Sequence, residues 1–392
     1  MIIGIDGNEA NVKERVGVGK YSFELLQKFK EFRISNFEFR IYLKDEPLAD
    51  LPKETDWWKY KVVGPKKLWT QIGLPLALYK DSLSRGRRIN VFFTPAHYAP
   101  RFCPCPRVIS IMDLSFLHYP EMFRKQDLWQ LKNWTAYSVK KATKILTISE
   151  ASKSDIIKYY QVPGDKVVVT YPGDNMNVKC QMSNVKSVRE KYGVEGDYIL
   201  SVGTLQPRKN FGKLIEAFSR LKNISLSQGV KDITPLRCKG GMEKLSLVIV
   251  GKKGWMYEEI LGTPKRLGIE NEVRFLDYVP DEDLPALYQN AKCFVLVSLY
   301  EGFGLPVLEA MNYGVPVVVS NISSLPEIVG EAGILVDPYN VDDIAKRISS
   351  ILSLSKEERE KLIEKGLVQS KKFSWEKCAK ETLKVLKEVS HS

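Results

Sequence analysis

The chain has 392 residues, of which 44% are hydrophobic and 27% are charged, and its formal net charge at pH 7 is +12. This composition is typical of a globular protein and excludes a disordered one, and the length predicts two or three domains rather than one core. No apolar run approaches the roughly 20 residues that cross a bilayer. The positive charge suits phosphates, nucleic acid or anionic lipid and does not choose among them.

Six cysteines are too few for a disulfide scaffold. Only Cys103 and Cys105 lie close together, and their one-residue spacing has no matching cluster elsewhere, so we expect reduced structural thiols rather than a metal site. The first six residues begin directly as a strand and lack the charged and apolar blocks of a signal peptide. A cytoplasmic location is therefore expected.

The first half alternates strand and helix patterns, which indicates a doubly wound parallel sheet. A glycine-rich loop with Gly17 and Gly19 connects the first strand to a helix that we expect to begin near Tyr21. Such glycines let backbone N–H groups approach a ligand without Cβ obstruction, although an ordinary turn explains them equally well. The predicted strands of this half are 2–6, 37–43, 91–94, 108–111, 145–148 and 167–170.

Residues 66–88 mix aromatic, apolar and basic side chains and allow two interpretations. The segment could lie against an anionic membrane surface. We slightly favour the alternative, a core-packing helix with a basic edge, in which Trp69, Leu74 and Leu78 point inward.

Two polar side chains that follow predicted strands are candidates for the acceptor side of a site. Asp113 follows the strand 108–111 and is expected to open into a cleft, but it could instead cap a neighbouring turn. His97 follows the strand 91–94, where a hydrogen-bonded structural histidine is an equally good interpretation.

Residues 173–187 are polar and lack a sustained period, so we place a domain linker there, between domains 1–172 and 188–373. The loop-like stretch 225–244 is expected to be a solvated insertion. The C-terminal part predicts two helices that are broken near residues 373–375. The strands predicted in the second domain are 198–202, 247–250, 273–276, 293–297, 315–319 and 334–336.

The loop after the strand 198–202 carries Arg208 and Lys209 towards the carboxyl end of the sheet, where open parallel sheets bind ligands. For an isolated basic residue the alternative is a solvated surface charge.

The most informative stretch is 298–309, which follows a buried Val-rich run and precedes a helix that Pro306 opens. A strand-to-helix loop here offers free backbone N–H groups and a positive helix end, both of which favour an anion. The loop residues are Gly302, Phe303, Gly304 and Leu305.

Glu301 and Glu309 flank this predicted anion site. A phosphate would repel them, so their natural partners are sugar hydroxyl groups, from which a carboxylate accepts hydrogen bonds. The alternative is that Glu309 complements the helix dipole and Glu301 is a solvated loop acid. The intervening Gly-Phe-Gly-Leu-Pro sequence disfavours that alternative.

Residues 301–309 resemble the E-x7-E motif of retaining nucleotide-sugar glycosyltransferases of family 4. The resemblance extends over nearly the whole chain and implies the GT-B fold, two Rossmann-like doubly wound parallel-sheet domains facing a cleft. It also implies that the last helix, 374–392, packs back on the first domain. Matching segments in family order begin at Gly17, Asp113, Pro120, Leu146, Tyr198, Pro207, Leu247, Val273 and Ser324.

The resemblance implies roles for the site residues. Lys209 contacts the donor diphosphate, Glu309 anchors the ribose and Glu301 holds the donor sugar. Thr204 stands where many relatives have an arginine, so we expect Arg208 to supply that charge.

The remaining implied contacts come from backbone groups. The amides of residues 302–305 bind the sugar and diphosphate, and Gly17 and Gly19 approach the diphosphate from across the cleft. Many relatives have a histidine before the acceptor-side aspartate, but here Met112 occupies that place. The resemblance also implies that the departing phosphate accepts the proton of the acceptor, and we expect no metal or cofactor.

The resemblance is strongest to mannosyltransferases of surface polysaccharide assembly. It implies GDP-mannose as the donor and a glycan or lipid-linked hydroxyl as the acceptor, with possible peripheral contact with the inner face of the membrane and no nucleic acid. The alternatives are a UDP- or ADP-hexose donor, a GT-B nucleotide-sugar epimerase, or a nonenzymatic binder of anionic polymer suggested by the +12 charge.

Overall fold

The computed structural model describes residues 1–33, 37–83, 88–174, 185–227 and 245–391. Two compact units are formed, Met1–Gly173 together with Phe373–Ser392, and Asp174–Lys372. Most of the predicted linker at 173–187 and of the predicted insertion at 225–244 lies outside the described residues.

The first unit is built around a seven-stranded sheet in the order β3-β2-β1-β4-β5-β6-β7, in which neighbouring strands are parallel. Helix α1 buries Tyr21, Leu25 and Phe29 at four-residue spacing, which places them on one face. The elements are β1 (Ile2–Asp6), α1 (Val18–Phe32), β2 (Glu38–Leu43), β3 (Trp58–Val62), α2 (Gly73–Leu83), β4 (Val91–Thr94), β5 (Arg107–Ile111), α3 (Ser115–His118), α4 (Lys125–Lys141), β6 (Lys144–Thr147), α5 (Glu150–Tyr160) and β7 (Val167–Val169).

The second unit contains a parallel sheet of six strands in the order β10-β9-β8-β11-β12-β13. The Val-rich run expected to be a buried strand is β11, whose four residues are all buried. The elements are α6 (Val185–Lys191), β8 (Tyr198–Val202), α7 (Phe211–Ser227), β9 (Ser246–Val250), α8 (Glu258–Leu267), β10 (Val273–Leu276), α9 (Leu284–Gln289), β11 (Cys293–Leu296), α10 (Leu305–Asn312), β12 (Val317–Ser320), α11 (Leu325–Val329), β13 (Gly333–Val336), α12 (Val341–Leu352) and α13 (Lys356–Ser370).

The last helix, α14 (Trp375–Ser390), belongs to the first unit. It packs against α1 and against β4, β5 and β6. The rings of Trp375 and Tyr21 lie 5.9 Å apart, and the thiol of Cys378 donates to the carbonyl of Thr170. The apolar face of this helix therefore contributes to the core of the first unit.

Two local predictions were wrong. The edge strand β3 was missed because two of its five residues are lysines and only Trp58 is buried, so it lacks the apolar run of the central strands. Helix α1 begins at Val18 rather than near Tyr21, because Gly17 adopts a φ of 51° and its carbonyl accepts the Tyr21 N–H at 3.0 Å. Gly19 therefore lies inside the first helical turn.

Candidate functional site

The second sheet reverses its strand order between β8 and β11, which are hydrogen-bonded neighbours. Ligands of open parallel sheets bind at the carboxyl ends of the strands at such a reversal. The loop after β8 carries Arg208 and Lys209, and the loop after β11 carries Glu301. Topology thus brings the predicted basic residues and the first predicted carboxylate to the same edge.

The two loops are tied together by hydrogen bonds. Asn210 has a left-handed backbone, with a φ of 59°, and its side-chain amide donates to the carbonyls of Val297 (3.0 Å) and Pro338 (2.8 Å). The backbone N–H of Leu299 donates to the carbonyl of Arg208 at 2.9 Å. These bonds fix the position of the Pro207–Lys209 turn relative to the loop after β11.

Glu301 lies at the centre of the site and is 7% exposed. Its Oε1 accepts hydrogen bonds from Lys209 Nζ and from Ser298 Oγ, both at 2.6 Å. Its Oε2 accepts from the Arg208 guanidinium at 3.3 Å. The interpretation of Glu301 as a solvated loop acid is therefore wrong.

The charge state of Glu301 is set by opposing effects. Burial raises the pKa of its carboxyl group, but attraction by Lys209 and Arg208 and the hydrogen bonds from Lys209 and Ser298 outweigh burial, so the pKa lies below its ordinary value. The side chain is therefore an ionised carboxylate near neutral pH, which can only accept hydrogen bonds.

Serine side chains hold the backbone of this loop. Ser323 Oγ accepts from the Glu301 N–H at 3.1 Å and donates to the Glu301 carbonyl at 2.6 Å. Ser324 Oγ lies 2.9 Å from the Glu301 carbonyl oxygen and 2.7 Å from that of Phe303. The sequence analysis missed these serines and Ser298, because a single serine has no periodic pattern to distinguish it from an ordinary loop residue.

Gly304 makes the transition from this loop to α10. Its φ is 116°, and a Cβ at this position would lie 2.7 Å from Leu325 Cδ2, so both backbone conformation and space favour glycine. Pro306 is in the first turn of α10, and Gly304 provides no side-chain cap. The positive end of the helix dipole therefore begins beside the Glu301 loop.

Glu309 lies one turn into α10. Its Oε2 accepts a hydrogen bond from the hydroxyl of Tyr288 at 2.9 Å, and the Tyr288 ring stacks on Tyr313 with centroids 5.6 Å apart. Burial and the neighbouring carboxylate raise the pKa of Tyr288 well above its ordinary value, so the phenol remains a donor. The sequence analysis missed Tyr288, which fixes the orientation of Glu309.

The acceptor-side candidates are brought together by the neighbouring strands β4 and β5. His97 Nε2 accepts the backbone N–H of Met112 at 3.2 Å, and Asp113 Oδ1 accepts from the N–H (2.9 Å) and the hydroxyl (2.6 Å) of Ser115. Asp113 therefore makes the turn-capping interaction that was the alternative interpretation. Burial lowers the pKa of His97, against the attraction of Asp113, and its tautomer carries the proton on Nδ1.

A buried carboxyl group at the end of β1 was also missed. Asp6 is 9% exposed, and its Oδ1 accepts from the backbone N–H (3.1 Å) and the side-chain amide (3.0 Å) of Asn8. Burial raises its pKa to about 7. The only signal in the sequence was its position at the end of the first strand.

Among the residues that the structure describes, no group of three or more His, Cys, Asp and Glu side chains is arranged to hold a metal ion. In the same part of the chain, no helix is both long and apolar enough to cross a membrane. A reaction without a metal remains a prediction.

Residues 185–369 match a family model described as Glycosyl transferases group 1. The chain is also 35% identical over 383 residues to the O-antigen chain mannosyltransferase B of Escherichia coli, an alignment that covers 95% of this chain and 96% of that protein. The chain belongs to the group 1 glycosyltransferase family. The matched range includes Arg208, Lys209, Glu301 and Glu309, whereas the acceptor-side candidates His97 and Asp113 precede it.

Solved structures with the same fold support the architecture of this glycosyltransferase. Sucrose-phosphate synthase from Thermosynechococcus elongatus superposes with a TM-score of 0.74 at 16% identity, covering 99% of this chain and 98% of that one. HepE from Anabaena, in complex with UDP and glucose, superposes with a TM-score of 0.71 at 18% identity, covering 99% of both chains. Together with the two parallel sheets, these similarities establish the GT-B fold.

Proposed function

We propose that this glycosyltransferase moves a mannosyl residue from GDP-mannose to a hydroxyl group of a surface glycan or its lipid-linked precursor, with retention of configuration. The observation that carries the proposal is the buried, ionised Glu301 between Lys209 and Arg208 beside the N-terminus of α10. The mannosyl donor is supported by the name of the relative that covers 95% of the chain. Retention is supported by the resemblance of residues 301–309 to the E-x7-E motif of retaining glycosyltransferases.

The charges of the site suit a diphosphate. Lys209 and Arg208 place two cations beside the single carboxylate of Glu301. The N-terminal end of α10 adds a positive potential at the same place. Lys209 and Arg208 bind the donor diphosphate in this proposal.

Glu301 has capacity for one sugar hydroxyl. A carboxylate offers about four acceptor positions. Lys209 and Ser298 use two on Oε1, and Arg208 uses one on Oε2. The remaining position on Oε2 accepts from a hydroxyl of the donor sugar, which is thereby oriented by a residue that three partners hold in place.

Glu309 binds the ribose. Tyr288 donates to its Oε2 and so fixes the carboxylate on the face of α10 where the helix begins. The ribose hydroxyls then donate to the carboxylate, since an ionised carboxylate accepts hydrogen bonds and does not donate them.

In the transfer step the acceptor oxygen bonds to the anomeric carbon on the face from which the diphosphate departs. The bond between that carbon and the diphosphate oxygen breaks, and the acceptor proton passes to the departing phosphate. Lys209, Arg208 and the end of α10 stabilise the charge that develops on the leaving group. These protein charges replace a divalent cation in the proposal, and His97 and Asp113 are the acceptor-side candidates.

A thermal-shift panel of GDP-mannose, UDP-glucose and ADP-glucose tests the donor. Because a ligand stabilises the folded state by mass action, the true donor should raise the melting temperature the most. Glu309→Gln should reduce the shift while keeping an acceptor for Tyr288, and Lys209→Met should abolish it. Transfer to a glycan acceptor is then measured by the amount of nucleotide diphosphate that is released.

Lys213→Met is the matched control, since Lys213 donates to the Tyr339 carbonyl in an exposed position. The donor should raise the melting temperature of Lys213→Met as much as it raises that of the wild type. A larger shift with UDP-glucose or ADP-glucose would reject the mannosyl donor, and the absence of any shift would reject the site.

A further inference from the structure

Two cysteine thiols lie against each other in the loop that joins β4 to β5. The sulfur atoms of Cys103 and Cys105 are 3.6 Å apart and share a hydrogen bond. Cys105 is 8% exposed and belongs to a core cluster of the first unit, whereas Cys103 packs against that cluster and is partly exposed. The expectation of structural thiols therefore accounts for Cys105 but not for an accessible thiol beside it.

The backbone around the two thiols is held on both sides. Towards β4, the carbonyl of Arg101 accepts a hydrogen bond from the Tyr137 hydroxyl at 2.6 Å. Towards β5, the carbonyl of Pro106 accepts from the Phe92 N–H at 2.9 Å. Pro104 and Pro106 also fix the backbone φ on either side of Cys105. The loop therefore keeps the two sulfur atoms adjacent.

The surroundings of the pair favour a thiolate on Cys103. The hydrogen bond from Cys105 and the positive charge of Arg107 lower the pKa of Cys103, although burial opposes them. The Arg107 guanidinium is itself fixed beside the loop, because it donates to the carbonyl of Pro100 at 2.8 Å. The thiolate form of a cysteine is the nucleophile, so Cys103 is the more reactive member of the pair.

The other two cysteines in the described part of the chain have different surroundings. Cys293 in β11 and Cys378 in α14 are both 0% exposed. Burial raises the pKa of Cys378 to about 12, so its thiol stays protonated near neutral pH. Buried structural cysteines are inert, whereas reactive cysteines are partly exposed and lie near positive charge. Cys103 meets both of these conditions.

We propose that Cys103 and Cys105 are a reactive dithiol, which a low-molecular-weight disulfide oxidises to an intramolecular disulfide. The Cys103 thiolate attacks one sulfur atom of the oxidant, whose disulfide bond breaks and releases one thiolate. Cys105 then gives its proton to water and attacks the Cys103 sulfur, which releases the second thiolate. Two protein thiols are oxidised, one disulfide is reduced, and the two released thiolates take up the two protons.

The geometry supports the second attack, by Cys105. The two sulfur atoms need to approach each other by roughly 1.5 Å to reach bonding distance. The hydrogen bond to the Cys103 thiolate, burial and the charge of that thiolate raise the pKa of Cys105. A mixed disulfide on Cys103 removes the first and the third of these causes, so Cys105 loses its proton more readily at that stage. This chemistry does not rest on the proposed donor or on the transfer reaction.

Mass spectrometry of the full chain after exposure to oxidised glutathione tests the proposal. The tryptic peptide 102–107 contains both cysteines, and its disulfide form is lighter than its dithiol form by two hydrogen atoms. Cys105→Ala should stop at the mixed disulfide, with one glutathione on Cys103. Cys103→Ala should react at least about tenfold more slowly than the parent protein, because its remaining thiol is buried.

Controls separate this pair from the other thiols. Cys180 and Cys238 lie outside the described residues, so serine replaces both in the parent protein and in every variant. Cys378→Ala removes a fully buried thiol and should form the disulfide at the parent rate. A cooperative thermal unfolding transition shows that each variant is folded. The donor should raise every melting temperature equally, so failure of this proposal and failure of the proposed function are distinguishable.

Three results would overturn the proposal. The first is a folded parent protein whose peptide 102–107 stays reduced, although the same peptide is oxidised when the protein is unfolded in urea. The second is a Cys103→Ala variant that forms a mixed disulfide as fast as Cys105→Ala does, because the two thiols would then be equivalent. The third is a disulfide between two copies of the chain, which would assign these thiols to an intermolecular contact.

Discussion

Glu301 is a buried carboxylate whose ionised form depends on two neighbouring cations. Lys209 is the nearer, at 2.6 Å, and both side chains are largely shielded from water. Removing one partner of a buried pair leaves an uncompensated charge, which typically costs about 3–5 kcal/mol. Lys209→Met keeps the apolar length of the side chain and should lower the free energy of unfolding by roughly that amount in urea titrations.

The dependence of this loss on pH follows from the pKa of Glu301. Its lowered pKa means that the carboxylate stabilises the folded state above its unfolded pKa, and this contribution is lost as the pH falls through the folded pKa. In Lys209→Met the pKa of the Glu301 carboxyl group should rise. The difference in unfolding free energy between this variant and the wild type should therefore shrink as the pH falls from about 7 to about 4. A difference in unfolding free energy that does not change with pH would contradict an ion pair between Lys209 and Glu301. Lys213→Met should show a small loss, under about 1 kcal/mol, at every pH.

The contribution of Asp6 to stability depends on pH in the opposite direction from that of Glu301. Its folded pKa is raised from 3.8 to about 7, so its contribution to stability is present below the unfolded pKa and is lost as the pH rises through the folded pKa. Asp6→Asn keeps the acceptor for Asn8 and removes the charge. The unfolding free energy of Asp6→Asn relative to the wild type should increase by about 1.4 kcal/mol per pH unit between about pH 4 and about pH 7. Above about pH 7 it should stay constant. Equal stabilisation at both ends of this range, measured by urea unfolding, would refute the assignment.

At the scale of single elements, the start of helix α10 depends on Gly304, the residue before it. Gly304→Ala places a methyl group against Leu325 at a φ of 116°, which an L-residue rarely adopts. We expect a loss of about 1–3 kcal/mol in unfolding free energy, together with a smaller donor-induced thermal shift.

Gly262 provides a contrast for this substitution. It lies in α8, is exposed, and has open space where a Cβ would be. Gly262→Ala should therefore stabilise the protein by about 0.5–1 kcal/mol, as glycine in a helix interior is unfavourable. If both alanines had the same effect, the strain assigned to Gly304 would be absent.

Element order was readable from the sequence, while side-chain pairing was not. Apolar runs predicted the central strands, and their alternation with helices predicted that Lys209 and Glu301 share one edge of a sheet. The sequence did not predict that Lys209 and Arg208 bond to Glu301, because distances of 2.6 and 3.3 Å depend on loop paths that no period encodes. Tyr288 was missed for the same reason.

For the whole molecule, chain length and repeated strand-helix alternation predicted two parallel sheets, and both are present. The edge strand of the first sheet was not predicted, since β3 buries only one of its five residues, Trp58. The segment 66–88 required the structure for a different reason. Its sequence allowed a core helix, which we slightly favoured, and a surface helix, and the burial pattern shows that α2 has one buried face and one exposed apolar face.

The chain leaves the first unit and returns to it at neighbouring positions. A Cβ on Gly173, where the chain leaves the first unit, would lie 2.3 Å from the backbone nitrogen of Trp375, just after it returns. The rings of Tyr171 and Phe373 also pack together, with centroids 5.5 Å apart. Exit and re-entry thus meet at one point of the host fold. The two ends of residues 174–372 therefore join the first unit next to each other, so the corresponding segment of a related protein could replace them without a change in the path of the first unit.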